Sequence, residues 1–340
     1  MRRLMVFCLL LSMLFTTLLP CAQAADDTVL GMTAESFTAA DLTELPYRLY
    51  LPKEPAPQEG YAVFIHLHGI GECGVDNQAQ TTTGMELVKS IMSKHGEDTI
   101  IIVPQSPEKW VNCMPSDGTY SVDKTLPSPY LVAVMELLKK MQQTYAIDAN
   151  RLYMAGLSMG GYGVWDLLAR YPHTFAAAIP VCGGGDPTKA SLMTDVAIRT
   201  YHSADDPIVP VTGTRAMVEA VQKANGNISY TEYTNLSHSC WSRAFRATDQ
   251  VSWLFSQTRK GEQTPDTPPA PPVETPMAGD VDQNETISAA DGLEVLKSVV
   301  GKVKLTEQQV TAADVNRDGT VSAADALLIL QYIVGKVPTL

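Results

Sequence analysis

The chain is short of basic charge: its 340 residues carry 25 Lys and Arg against 37 Asp and Glu, a formal net charge of −12. A nucleic-acid binder needs clustered cations to displace counterions from phosphates, and an anionic membrane surface attracts the same cations. Both classes are excluded. Cysteine is scarce too: Cys8 and Cys21 fall within the first 24 residues, leaving Cys73, Cys113, Cys182 and Cys240. None of these has the close paired spacing of a thiolate zinc site. Disulfide pairing stays open, and spacing alone does not fix its connectivity. Long apolar runs are missing after the N-terminus, so no later segment is fitted to span a bilayer.

What stands at the N-terminus reads as a leader. Arg2-Arg3 precedes an apolar run from Leu4 to Leu19, and Ala22-Gln23-Ala24 offers the small residues that a signal peptidase reads. Residues 1–24 are therefore expected to be a cleaved signal peptide and the mature protein to be soluble and exported. Pro20 before Cys21 fits a lipid-modification site badly.

Between Thr258 and Met277 six prolines alternate with Thr and Glu, and almost nothing is apolar. Such a stretch cannot build a core and is expected to be an extended spacer. It divides a body at 25–257 from a C-terminal module at 279–340, with the linker at 258–278. Within the body, apolar runs at 61–66, 99–103, 151–155 and 175–181 read as buried strands, and 197–201 and 229–233 as the last two. Helical spacing at 85–94, 130–145 and 213–224 lies between them. Alternating strands and helices imply an α/β fold, a doubly wound and mostly parallel sheet covered on both faces.

A strand, the sequence Gly156-Leu157-Ser158-Met159-Gly160 and a helix follow one another. This is the nucleophile elbow, in which close-packed glycines let a serine stand clear of the sheet at a helix N-terminus. A serine hydroxyl needs a base, and in this arrangement the partners follow in the order Ser, acid, His. His173 ends the elbow helix and His202 precedes the acid, which leaves His238 as the base. Asp205 and Asp206 are both in place as the acid, and spacing does not separate them. The oxyanion hole requires the backbone N–H of Met159 and a second donor from the loop after the third strand, for which Ile70 is the candidate ahead of Gly71. His68 is expected to pack beneath that loop. Glu72 is either a substrate contact or solvated. Trp110 and Trp241 lie in loops near the expected pocket, either to stack on substrate or to pack in the core.

The ordered set HLHGIGECGVDN, VPQSPEKW, AGLSMGGYGVWDLLARYP, PVCGGGDP, HSADDPIVPV and HSCW resembles secreted α/β-hydrolase esterases of carbohydrate esterase family 1, which include feruloyl and acetylxylan esterases and related predicted peptidases. The resemblance covers roughly Leu45 to Phe255. It implies Asp206 as the acid, counted from Pro210. Ser203 stands where a glycine is common, with no catalytic consequence expected.

GDVDQNETISAAD from Gly279 and ADVNRDGTVSAAD from Ala313 are duplicates, each followed by an apolar helical pattern. The pair resembles a type I dockerin, a small all-α calcium-binding module that plugs enzymes into scaffold cohesins. Calcium takes oxygens from alternating loop positions. The first loop offers Asp280, Asp282, Asn284, Thr286 by its carbonyl, Ser288 through water, and Asp291. The second offers Asp314, Asn316, Asp318, Thr320, Ser322 and Asp325. The resemblance also places Ala289-Ala290 and Ala323-Ala324 at the cohesin contact.

Together these readings imply an extracellular, cellulosome-associated serine esterase acting on ester groups of plant cell-wall polysaccharide, feruloyl or acetyl xylan esters. It would need no cofactor for catalysis and would hold two calcium ions in the dockerin. The same machinery serves peptide hydrolysis, and the motifs do not separate the two.

Overall fold

The computed structural model describes residues 28–112, 118–259 and 277–337, except 283, 285 and 317–319. The expected leader at 1–24, most of the expected linker at 258–278, Cys113 and Asp318 lie outside the described residues. In the body the strands are β1 (Thr28–Val29), β2 (Met32–Thr38), β3 (Glu44–Tyr50), β4 (Tyr61–Leu67), β5 (Thr99–Pro104), β6 (Ile147–Leu157), β7 (Ala177–Val181), β8 (Ala197–Ser203) and β9 (Ile228–Tyr233). They form one sheet in the order β1-β2-β3-β5-β4-β6-β7-β8-β9. From β5 onward every neighbouring pair is parallel, while β1, β2 and β3 join antiparallel. The strand before the Ile70 loop is thus the fourth in chain order.

The period of two along each strand explains the layering. Val63, Ile65 and Leu67 of β4 enter one apolar cluster with Leu152 and Met154 of β6, whereas Ala62 and Phe64 enter the other with Tyr153 and Ala155. Each face needs a cover. The helices are α1 (Glu86–His95), α2 (Pro129–Thr144), α3 (Met159–Arg170), α4 (Val211–Lys223), α5 (Trp241–Phe245) and α6 (Gln250–Phe255). Leu131 and Leu138 of α2, Tyr162 and Val164 of α3, and Met217 and Val221 of α4 fill the first cluster. Leu87 and Ile91 of α1, Phe245 of α5 and Leu254 of α6 fill the second. The result is a doubly wound α/β sheet, with the loops after β4, β6, β8 and β9 all at its carboxyl edge, where ligands bind in such folds.

The C-terminal module has helices α7 (Ala289–Val299), α8 (Glu307–Ala313) and α9 (Ala323–Ile333) around Val281, Val295, Leu305, Val315, Ala326 and Ile329. Its two halves start alike: Ser288 caps α7 and Ser322 caps α9, each in a capping box with the aspartate three residues on. Among the described residues no helix is long and apolar enough to cross a membrane.

Candidate active site

β6 ends at Leu157 and α3 begins at Met159, so Ser158 alone makes the turn, with φ 53° and ψ −118°. A non-glycine residue in that region is strained by about 1–3 kcal/mol and persists only where its surroundings fix it. They do so here: Ser158 N–H donates to Val181 O at 2.9 Å, and Ser158 O accepts from Tyr162 N–H at 3.1 Å. A Cβ at Gly156 would strike the Gly160 carbonyl, and one at Gly160 would strike that of Leu67. The glycines of the elbow are therefore a consequence of backbone crossing backbone.

The loop after β9 brings His238 to this serine, and the loop after β8 brings Asp206 to His238. His238 Nε2 lies 2.8 Å from Ser158 Oγ, and His238 Nδ1 lies 2.7 Å from Asp206 Oδ2. A carboxylate only accepts, so Nδ1 carries the proton and Nε2 is left free to accept from the serine hydroxyl. Asp205 does not share this role; its carboxylate turns to the Ser237 N–H instead. Burial drives the Asp206 carboxyl upward. Hydrogen bonds from His202, His238 and the N–H groups of Val209 and Ile208 outweigh that and hold it well below the usual carboxylate range.

His202 is a partner that the sequence reading passed over. Its Nε2 lies 3.1 Å from Asp206 Oδ2 and 3.1 Å from Val209 O, two acceptors, so that nitrogen donates. Its other nitrogen meets Thr214 Oγ1 at 2.7 Å. Chain order eliminated His202 as the base; only the fold shows that it touches the same carboxylate.

On the opposite side, Met159 is the first residue of α3 and Ile70 opens a short 3₁₀ turn, Ile70–Glu72. N–H groups at such positions have no partner within their own helix and are available to an anion. The Ile70 loop is pinned by the residue after β5: Gln105 Nε2 donates to Glu72 O at 3.2 Å and to Asp76 Oδ1 at 2.9 Å, while Gln105 Oε1 accepts from Asn77 N–H at 2.6 Å. His68 lies beneath it as expected. Its Nε2 accepts from Ser106 N–H at 2.9 Å and its Nδ1 donates to Gly69 O at 2.6 Å.

Of the candidates for substrate contact, Trp110 takes the packing alternative. It is 0% exposed, donates from Nε1 to His68 O at 3.0 Å and lies against the His68 ring at 4.9 Å. The indole is a core residue supporting the loop. Trp241 is at the site, half-buried, with its ring edge-on to the His238 imidazole at 5.3 Å. Glu72 is half-buried in the Ile70 loop. Cys73, Cys182 and Cys240 are free thiols. Cys182 lies beside Asp206 and His238, where burial and the neighbouring Cys240 push its thiol well up, so it stays protonated.

In the module, carboxylate oxygens of Asp280, Asp282 and Asp291 lie within 4.8 Å of one another. Asp291 also ties the loop together, accepting from Val281 N–H at 2.8 Å and Ser288 N–H at 2.8 Å. Asn284 Oδ1 accepts from Thr286 N–H at 2.9 Å, placing Asn284 and Thr286 in the same turn. Burial, then the charges of Asp291 and Asp280, raises the Asp282 carboxyl. Three crowded carboxylates fit a hard divalent cation, which would relieve that repulsion. In the second loop Asp325 is buried and accepts from Asn316 N–H at 3.3 Å and Ser322 N–H at 2.9 Å. Ala289-Ala290 and Ala323-Ala324 are exposed at the starts of α7 and α9.

The chain matches the Phospholipase/Carboxylesterase family over residues 54–251 and the Dockerin type I domain over residues 278–334. A solved thermostable esterase is 33% identical, with a TM-score of 0.61 over 67% of this chain and 64% of that one. A bifunctional acetylxylan esterase/xylanase of Neocallimastix patriciarum is 24% identical over 35% of this chain and 19% of its own. Poly(3-hydroxyalkanoate) depolymerase C of Paucimonas lemoignei is 34% identical over 16% of this chain and 13% of its own. The chain thus spans less than a fifth of the length of these two curated relatives. With an elbow serine at the carboxyl edge of a doubly wound sheet, the chain belongs to the Phospholipase/Carboxylesterase family of α/β-hydrolases and carries a dockerin type I domain behind it.

Proposed function

We propose that the chain is an exported serine esterase that removes feruloyl or acetyl groups from plant cell-wall xylan while docked to a scaffold cohesin. The observation that carries this reading is the unbroken hydrogen-bonded line from Asp206 through His238 to Ser158. Ser158 Oγ attacks the ester carbonyl carbon as its proton passes to His238 Nε2. The carbonyl oxygen takes up the electron pair and is received by the N–H groups of Met159 and Ile70. When the tetrahedral species collapses, the alcohol oxygen leaves with the proton held on Nε2, and the acyl group remains on Ser158. Water then gives its proton to Nε2 and attacks, and Ser158 departs reprotonated. Asp206 stays ionised throughout and stabilises the imidazolium. Trp241 and Glu72, beside the site, are the candidate contacts for sugar or acyl group.

The substrate class is supported by the carboxylesterase family, by the acetylxylan esterase among the relatives, and by a dockerin domain that implies a cohesin partner. Export is supported by the leader-like residues 1–24. Dockerin domains bind calcium. Two ions are proposed here, one held by Asp280, Asp282, Asn284, Thr286, Ser288 and Asp291, the other by Asp314, Asn316, Asp318, Thr320, Ser322 and Asp325.

The test is a Ser158→Ala variant assayed on chromogenic acetyl and feruloyl esters. The expected loss in kcat is at least about 10³-fold; unchanged turnover would contradict the reading. Side-by-side rates on xylan-derived esters and short peptides fix the substrate class, and faster peptide cleavage would overturn the esterase assignment.

A further inference from the structure

The segment that presents His238 is bent in an unfavourable way. Asn235 and Ser237, neither of them glycine, have φ of 63° and 51°. Left-handed conformations at such residues need support. The support comes from the neighbouring loop after β8. The last rung of the sheet is Ala204 N–H to Tyr233 O at 2.8 Å. Beyond it, Leu236 N–H donates to Ser203 Oγ at 3.3 Å, and Ser237 N–H donates to both carboxylate oxygens of Asp205, each at 3.3 Å. Ser203 Oγ in turn donates its own proton to Asp205 Oδ1. Two consecutive N–H groups immediately before His238 are thus held by one serine–aspartate pair.

We propose that Asp205 and Ser203 are positioning residues for catalysis, forming a clip that sets the backbone from which His238 reaches Ser158. The two adjacent aspartates divide the task. Asp206 orients the imidazole ring, and Asp205 orients the main chain that carries it. The hydrogen bond from Ser203, with those from the loop N–H groups, keeps the exposed Asp205 carboxyl below its ordinary range, so it remains a charged acceptor. Ser203 gains a purpose that the expectation of no catalytic consequence denied it. A glycine there would leave Leu236 N–H without this acceptor and Asp205 without its hydroxyl donor. Catalytic geometry tolerates little error, because small displacements of a reacting group are costly in rate.

The proposal rests on the esterase reading above, and its failure is separable from the failure of that reading. In the full chain, Asp205→Ala is expected to lower kcat about tenfold through misplacement of the base, with KM changed less than about twofold. Ser203→Gly is expected to act similarly and Ser203→Thr to restore the rate. The double variant should lose little more than the stronger single one, since the two residues act as a unit. Thermal unfolding reports whether each variant is folded; if Asp205→Ala is not, Ser203→Gly decides. Folded variants with wild-type kcat, or with the whole loss in KM, would overturn the clip while leaving the triad standing. Activity surviving Ser158→Ala would instead remove the esterase reading itself.

Discussion

His202 and His238 meet at a single atom: Asp206 Oδ2 lies 3.1 Å from Nε2 of the first and 2.7 Å from Nδ1 of the second. The acid is held from behind by one imidazole while it holds the other in front. Hydrogen bonds to an ionised group are worth about 1.5–3 kcal/mol. In His202→Phe one of the bonds that depress the Asp206 carboxyl is lost, so its pKa rises. With the carboxylate held from one side only, kcat at its plateau should fall about tenfold, since each 1.36 kcal/mol is a factor of ten. Steady-state rates across pH check this; a profile superimposable on the wild type would show that His202 only fills space.

Trp110 and Trp241 should separate cleanly. Trp110→Ala removes a fully buried indole and its bond to His68 O, which should cost about 3–5 kcal/mol of stability. Trp241→Ala, at the edge of the site, should raise KM on xylan-derived esters with a smaller change in stability. Urea unfolding and ester kinetics on the two variants test the pair. A Trp110→Ala protein of normal stability and altered KM would reverse the assignment.

Acid should weaken the fold through two buried histidines. Burial pulls His68 down to about 4 and His66 to about 3, from an ordinary 6.5. Below 6.5 the unfolded imidazoles take protons that the folded ones refuse, so stability falls as pH drops and the loss levels off near the folded values. For His68 the full effect is about 3 kcal/mol. Neither ring nitrogen of His66 has a hydrogen-bond partner among the described residues. His66→Leu should therefore flatten the decline in urea stability between pH 7 and pH 5, and an unchanged slope would contradict this.

Calcium should act on the module and spare the chemistry. Chelation in the full chain should release the repulsion among Asp280, Asp282 and Asp291 and lower the module's thermal transition. Turnover of small chromogenic esters should be unaffected. Asp291→Ala should abolish the calcium-dependent shift of the first half. Loss of ester turnover on chelation would show that the two parts are coupled.

Much of the site could be read from the sequence because it rests on local constraints. The elbow glycines follow from backbone crossing backbone, and the duplicated loops declare their own spacing. The central parallel strands β4, β5 and β7 and the second half of β6 were legible because burial on both faces makes them continuous apolar runs. The antiparallel edge of β1, β2 and β3 was not. β2 is mostly exposed and polar, and β3 carries Pro46 and a buried Arg48, so neither offers a run or a clean alternation. Trp110 looked like a loop residue because its loop is irregular, yet irregular backbone can still bury an indole. The roles of His202, Ser203 and Asp205 depend on two distant loops lying side by side, and spacing along the chain carries no trace of that.

The most direct test of the central claim is covalent labelling of the full chain with a fluorophosphonate, followed by peptide mass mapping. The expected result is one adduct on Ser158, lost in Ser158→Ala and strongly slowed in His238→Ala. No adduct, or an adduct on another serine, would contradict the assignment of Ser158 as the nucleophile.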